Sequence, residues 1–169
     1  MVLQLLSKPF SVPESAIEQG LINAKIFGRF QILPGKVTRI LDVAHNPLAA
    51  QVLNQSLHQH PCKGETYAVV GMLKDKDIAG VFTVMQNSIA HWHVAPLHTP
   101  RSADIQCLVD NLNTLGIKSI QIHPSITKAY SDLLSHAQDG DRIVVFGSFY
   151  TVAEILSKKK LTVFENLSA

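Results

Sequence analysis

From Val37 onward the chain alternates short, almost wholly apolar runs with stretches whose apolar residues recur at helical spacing, and this alternation restricts the fold more than any other feature. Runs such as Ala68-Val69-Val70 and Ile143-Val144-Val145-Phe146 put apolar side chains on both faces of an extended strand, the pattern of parallel strands covered by helices above and below. Ile78, Val81, Phe82 and Met85, and again Ile105, Leu108, Val109 and Leu112, form the stripe of a helix with one core-facing side. The rhythm predicts strands over 37–43, 66–71, 91–95, 119–122 and 142–146. Helices are predicted over 47–58, 77–87, 103–115, 125–137 and from Thr151 to about Lys158. Right-handed crossovers between such strands give an α/β fold, a doubly wound, mostly parallel, Rossmann-like open sheet.

The segment ahead of this rhythm is different. Ser11-Val12-Pro13-Glu14 has the spacing of a capping box, so a helix should run from there to about Ala24. Its stripe of Ile17, Leu21 and Ala24 must bury itself against something. Gly28-Arg29, a short strand over 30–33 and the turn Pro34-Gly35 follow, which places a domain boundary near Gly28 and divides the chain into residues 1–28 and 29–169.

Composition narrows the functional classes. With 46% hydrophobic and 17% charged residues the chain should fold, and 169 residues suit one core with a short appendage. The net charge is only +2, and the one basic run, Lys158-Lys159-Lys160, falls beyond the last predicted helix, which argues against a nucleic-acid groove. No stretch approaches the roughly 20 apolar residues of a membrane span, and the amino-terminal segment lacks the basic flank and sustained apolar run of a signal peptide. Cys62 and Cys107 are far apart and show no CxxC spacing, as expected of a reduced cytoplasmic protein.

Ligands of an open parallel sheet bind outside the carboxyl ends of its strands. Two strand-to-helix turns are rich in chemistry there. In Leu41-Asp42-Val43-Ala44-His45-Asn46-Pro47, Asp42 leaves the strand, His45 and Asn46 form the turn, and Pro47 takes the first helical position, where its missing N–H does no harm. In Phe146-Gly147-Ser148-Phe149-Tyr150, Gly147 lets another group approach the backbone and Ser148 stands at a helix start that would welcome an anion. Each also has a plainer reading, since Asp42, Asn46 and Ser148 are all residues that cap loops and helices.

The strings DVAHNP, GMLKDKDI and GSFYTVAEIL, in that order and on the predicted elements, resemble the carboxyl-terminal domain of the folylpolyglutamate synthase and dihydrofolate synthase family, within the Mur ligase superfamily. Gly28-Arg29 is similar to the family's segment at the domain junction, although Phe27 stands where a proline is usual. The resemblance covers nearly the whole chain, with residues 1–28 similar to the last helix of the family's central ATPase domain. It implies an ATP-dependent ligase that adds L-glutamate to a pterin or folate carboxylate through an acyl phosphate. It further implies that Arg29 and Asp42 contact ATP, Arg29 by pairing with a phosphate or orienting the ribose, and that His45 and Ser148 serve the incoming glutamate. Asn46, Lys74, Lys76 and Tyr150 would face the same cleft, although the turn from Lys74 to Asp77 also reads as a solvated charged loop. The partners implied are ATP, L-glutamate, a pterin or folate substrate and an N-terminal ATPase domain of the same polypeptide.

The chain contains no phosphate-binding string GxxxxGK[ST] or GxNGKGS and no cluster of acids suited to magnesium. The phosphate loop and the Mg2+ ligands are therefore expected on another domain, and the chain alone should be inactive. A serine hydrolase built on Ser148, His45 and Asp42 would lack GxSxG and would draw two members from one loop. A metal site at His91 and His93 lacks a third ligand of suitable spacing. No GxGxxG follows the first strand, which excludes a Rossmann dehydrogenase. The alternative from another class is a free-standing module that binds a nucleotide or amino acid without chemistry.

Overall fold

The computed structural model describes residues 12–24 and 26–166, with side chains through Ser157. Helix α1 spans Glu14–Asn23 and starts after Pro13 with no side-chain cap; Ser11 of the expected capping box lies outside the described residues. Strands β1 (Gln31–Leu33), β2 (Thr38–Leu41), β3 (Thr66–Val70), β4 (His91–Val94), β5 (Ile120–Ile122) and β6 (Arg142–Phe146) form one sheet in the order β1-β2-β6-β3-β4-β5. All neighbouring pairs are parallel except β1 with β2. The mostly parallel sheet is as expected, with an antiparallel edge.

Helices α2 (Pro47–Gln59), α3 (Ile78–Met85), α4 (Ile105–Thr114), α5 (Ile126–His136) and α6 (Phe149–Asn166) follow the strands. Most begin where a side chain takes up a free N–H: Asn46, Asp77, Asp104 and Ser125 each accept one from the first turn of their helix. Helix α3 holds its whole apolar stripe but is shorter than the predicted 77–87, giving way to a 3-10 turn over Gln86–Ser88. Helix α6 starts before Thr151 and extends through Lys158-Lys159-Lys160, so the basic run is helical rather than beyond the last helix.

The strands' double-sided apolar character is explained by two cores. Ala68, Val70, Val144 and Phe146 point to one face, where they meet Leu53 and Leu57 of α2, Val81 and Phe82 of α3, and Leu108 and Leu112 of α4. Val69, Ile143 and Val145 point to the other, against Ile126 and Leu133 of α5 and Val152 and Ile155 of α6. Trp92 is fully buried and packs edge-on to Phe82 and Phe146, with ring centres 5.1 and 6.2 Å away.

The last strand enters between β2 and β3. Helices leaving β2 and β3 then pass to one face, while the helix leaving β6 passes to the other. The turns after these strands part above β6, a topological switch where a crevice opens at the carboxyl edge of the sheet.

Candidate functional site

The two chemically rich turns meet at that switch. Gly147 donates its N–H to the carbonyl of Ala44 at 2.9 Å, and Asp42 donates its N–H to the carbonyl of Val145 at 2.9 Å, so the turns after β2 and β6 are joined along their backbones. Gly147 has φ of 115°, and a Cβ there would lie 2.5 Å from the carbonyl oxygen of Gly71. The group that this glycine lets approach is therefore the neighbouring turn after β3.

Asp42 is only 8% exposed. Its Oδ2 accepts the N–H of Phe30 at 2.8 Å and its Oδ1 accepts the N–H of Ala44 at 2.7 Å. Burial raises its pKa above the ordinary carboxylate value, while the two N–H donors oppose that shift. The carboxylate still borders an open cavity of about 430 Å3 shared with Arg29, Phe30, Asn46, Leu48, Ala49 and Val52. Asn46 caps α2 by accepting the N–H of Ala49 at 2.9 Å.

His45 places Nδ1 2.9 Å from the carbonyl oxygen of Val43. A carbonyl can only accept, so Nδ1 carries the proton and Nε2 holds the lone pair in the neutral ring. His45 lines a second cavity of about 230 Å3 with Leu73, Lys76, Arg101, Ser148, Phe149 and Tyr150. Ser148 is 2% exposed, and its Oγ accepts the N–H of Thr151 at 3.0 Å, capping α6. Thr151 in turn donates its hydroxyl to the carbonyl of Gly71 at 2.7 Å, tying the turns after β3 and β6 together. The ring of Phe149 joins the two cavities, with the Arg29 guanidinium 5.8 Å and the His45 ring 6.2 Å from its centre.

Lys74 and Lys76 part company. Lys76 lines the smaller cavity and pairs with Asp75 at 2.8 Å, whereas Lys74 is exposed and is not among that cavity's residues. Asp77 is taken up as the α3 cap, its Oδ1 accepting the N–H of Gly80. Arg101 and Phe149 complete the rim without having been singled out from sequence. Arg101 follows Pro100 in the turn after β4, and its position beyond a strand's carboxyl end was the available signal.

The rival sites are built differently from what their chemistry needs. Asp42 gives both oxygens to backbone N–H groups and Ser148 caps a helix, so no relay links them through His45. His91 bonds Glu65 and Ser119, each at 2.6 Å, while His93 Nδ1 faces His123 Nε2 at 2.8 Å. Among the described residues, no group of three or more His, Cys, Asp or Glu could hold a metal ion.

A mostly parallel sheet whose turns open two adjoining cavities, each with charged groups among apolar ones, at a topological switch defines a ligand-binding α/β domain. The chain belongs to the family described as Mur ligase, glutamate ligase domain, whose model matches residues 28–149. It is 41% identical over 153 residues to the dihydrofolate synthase/folylpolyglutamate synthase of Buchnera aphidicola subsp. Acyrthosiphon pisum, covering 89% of this chain and 36% of that protein. It matches E. coli FolC in complex with DHPP and ADP at a TM-score of 0.85 and 34% identity, covering 95% of this chain and 38% of that one. A bifunctional folylpolyglutamate synthase/dihydrofolate synthase with Mn, AMPPNP and L-glutamate bound matches at a TM-score of 0.81 and 38% identity, covering 88% of this chain and 35% of that one. The chain thus spans little more than a third of the length of the proteins it matches.

Proposed function

We propose that this chain is the carboxyl-terminal part of an ATP-dependent ligase that joins L-glutamate to dihydropteroate, to folates or to both. One observation carries the reading: Arg29, Asp42, His45 and Ser148 line two cavities joined through Phe149 on one rim. The names of the related proteins and of the ligands in their structures support it.

Arg29 sits on the exposed side of the larger cavity and supplies fixed positive charge to the nucleotide. Asp42 holds the Arg29-Phe30 junction in place and offers its remaining lone pairs to the sugar hydroxyls. In the smaller cavity, Nε2 of His45 accepts a hydrogen bond from the glutamate amine and so turns the amine's lone pair toward the activated carboxyl carbon. The amino-terminus of α6, which Ser148 caps and holds in place, receives a carboxylate. Mg2+ in the complete enzyme would neutralise phosphate charge, with its ligands expected on the domain that carries the phosphate loop.

Residues 1–28 are read as the end of that central domain, and residues 29–169 as the Rossmann-like glutamate ligase domain. Leu21, Ile22, Ile26 and Phe27 are all exposed, the apolar face such a partner domain would cover. We place the protein in the cytoplasm, in keeping with its two free cysteines. No helix of the described residues is long and apolar enough to cross a membrane.

The test is kinetic. In the complete polypeptide, Arg29→Ala should raise the apparent KM for ATP by about tenfold or more, and His45→Ala should do the same for glutamate, the loss expected when a charge-assisted or orienting hydrogen bond is removed. Unchanged constants for both substrates would refute the proposed site.

A further inference from the structure

The smaller cavity contains two cations, Lys76 and Arg101. We propose that Arg101, together with Lys76, reads the side-chain carboxylate of the incoming amino acid and so sets the preference for glutamate over its uncharged analogues. This inference rests on the ligase reading above and names the specificity element within it.

The plainer role for Arg101 would be to tie its loop to the turn after β3, but the backbone already does this. The N–H of Lys74 reaches the carbonyl of Arg101 at 3.0 Å, Ala103 donates to the carbonyl of Met72 at 2.8 Å, and Leu73 and Ser102 form an antiparallel bridge. The guanidinium adds only an ion pair with Asp75 in which both side chains are about half exposed, a kind of contact that contributes little to stability. Both bonds in that pair use Nη2, each at 3.0 Å. Among the described residues, Nε and Nη1 are not engaged, so the guanidinium keeps donors for a second carboxylate.

The local charge fits one such group. Lys76 and Arg101 hold the pKa of Asp75 down to about 2, so the trio carries two positive charges and one negative near neutral pH. One net positive charge is left beside the amino-terminus of α6, which offers a separate place for a second anion. A molecule with one amine and two carboxylates would meet His45, the helix start with Ser148, and the Lys76–Arg101 pair. The cavity, about 230 Å3, lies below the roughly 300–1,000 Å3 of pockets for drug-sized ligands, as suits a free amino acid.

The experiment is steady-state kinetics of the complete polypeptide, with glutamate and glutamine competing at saturating ATP and with ATP varied separately at saturating glutamate. Arg101→Gln should raise the KM for glutamate by about tenfold to a hundredfold, the loss expected for a charged hydrogen-bonding pair, while the KM for ATP stays within about twofold. Discrimination between glutamate and glutamine should fall by a similar factor, and Arg101→Lys should recover part of it. Unchanged discrimination in Arg101→Gln overturns the inference. Ser148→Ala, measured in parallel, separates the two levels. If it weakens glutamate while Arg101→Gln does not, only the role of Arg101 falls; if neither affects glutamate, the assignment of the cavity falls too.

Discussion

Phe30 adopts a φ of 38°, a left-handed conformation that a residue with a side chain seldom takes. Asp42 holds it there by accepting its N–H at 2.8 Å, and a second bond, from Ala44, anchors the same carboxylate to the turn that carries His45. One side chain therefore orients Arg29 on one side and His45 on the other. Asp42→Ala would leave two backbone N–H groups without acceptors in a largely buried place, a loss of about 2–4 kcal/mol from the usual cost of each orphaned donor. Urea denaturation should show it as a lower midpoint, and a midpoint within the error of wild type would remove Asp42 from this structural role. The plainer readings of Asn46 and Ser148 as caps and the functional readings coexist, because both residues cap a helix and both line a cavity. Residue type and position were legible in the sequence. That Arg101 would join them was not, since it lies outside both turns, and Phe149, although inside the second, carries no polar group to mark it.

Helix starts were readable wherever a short polar side chain preceded an apolar stripe, as at Asn46, Asp77 and Ser125. Strand ends were placed too far, with β2 ending at Leu41 rather than Val43, because apolar residues continue into the turn where Val43 is buried without pairing in the ladder. At the far side of the sheet, β4, β5 and α5 are linked through His93, His123 and Asp132. His93 is buried among His91, His123 and Tyr67, and burial, with the neighbouring histidines, lowers its pKa from 6.5 to about 4 against the opposing pull of Asp132. The folded form thus binds the proton more weakly than the unfolded chain. Its contribution is fully present above pH 6.5 and is lost as pH falls from there through about 4, by roughly 1–3 kcal/mol. Denaturation at pH 7 and pH 4.5 should reveal the loss, and His93→Gln should reduce the difference. Equal pH dependence in wild type and variant would contradict it.

Leu48, Val52, Phe149 and Tyr150 are exposed around the same rim as Arg29 and His45, so the whole molecule presents apolar and charged groups toward one side. The sequence carries no GxxxxGK[ST] or GxNGKGS string, and on the proposed reading the nucleotide phosphates are held by another domain. Isothermal titration of the chain alone should show no ATP binding at micromolar concentrations, and micromolar affinity would favour the free-standing binding module instead. The alternation of apolar runs and stripes sufficed by itself for the α/β class, the two-sided burial of the strands, and turns able to hold ligands, because periodicity and capping are local properties of the chain. The insertion of β6 between β2 and β3, the antiparallel edge at β1, and the meeting of the turns from β2, β3, β4 and β6 were decided only in three dimensions. Strand order depends on pairing between residues as far apart as Thr38 and Arg142, and no local pattern records which of several equally apolar strands will be neighbours.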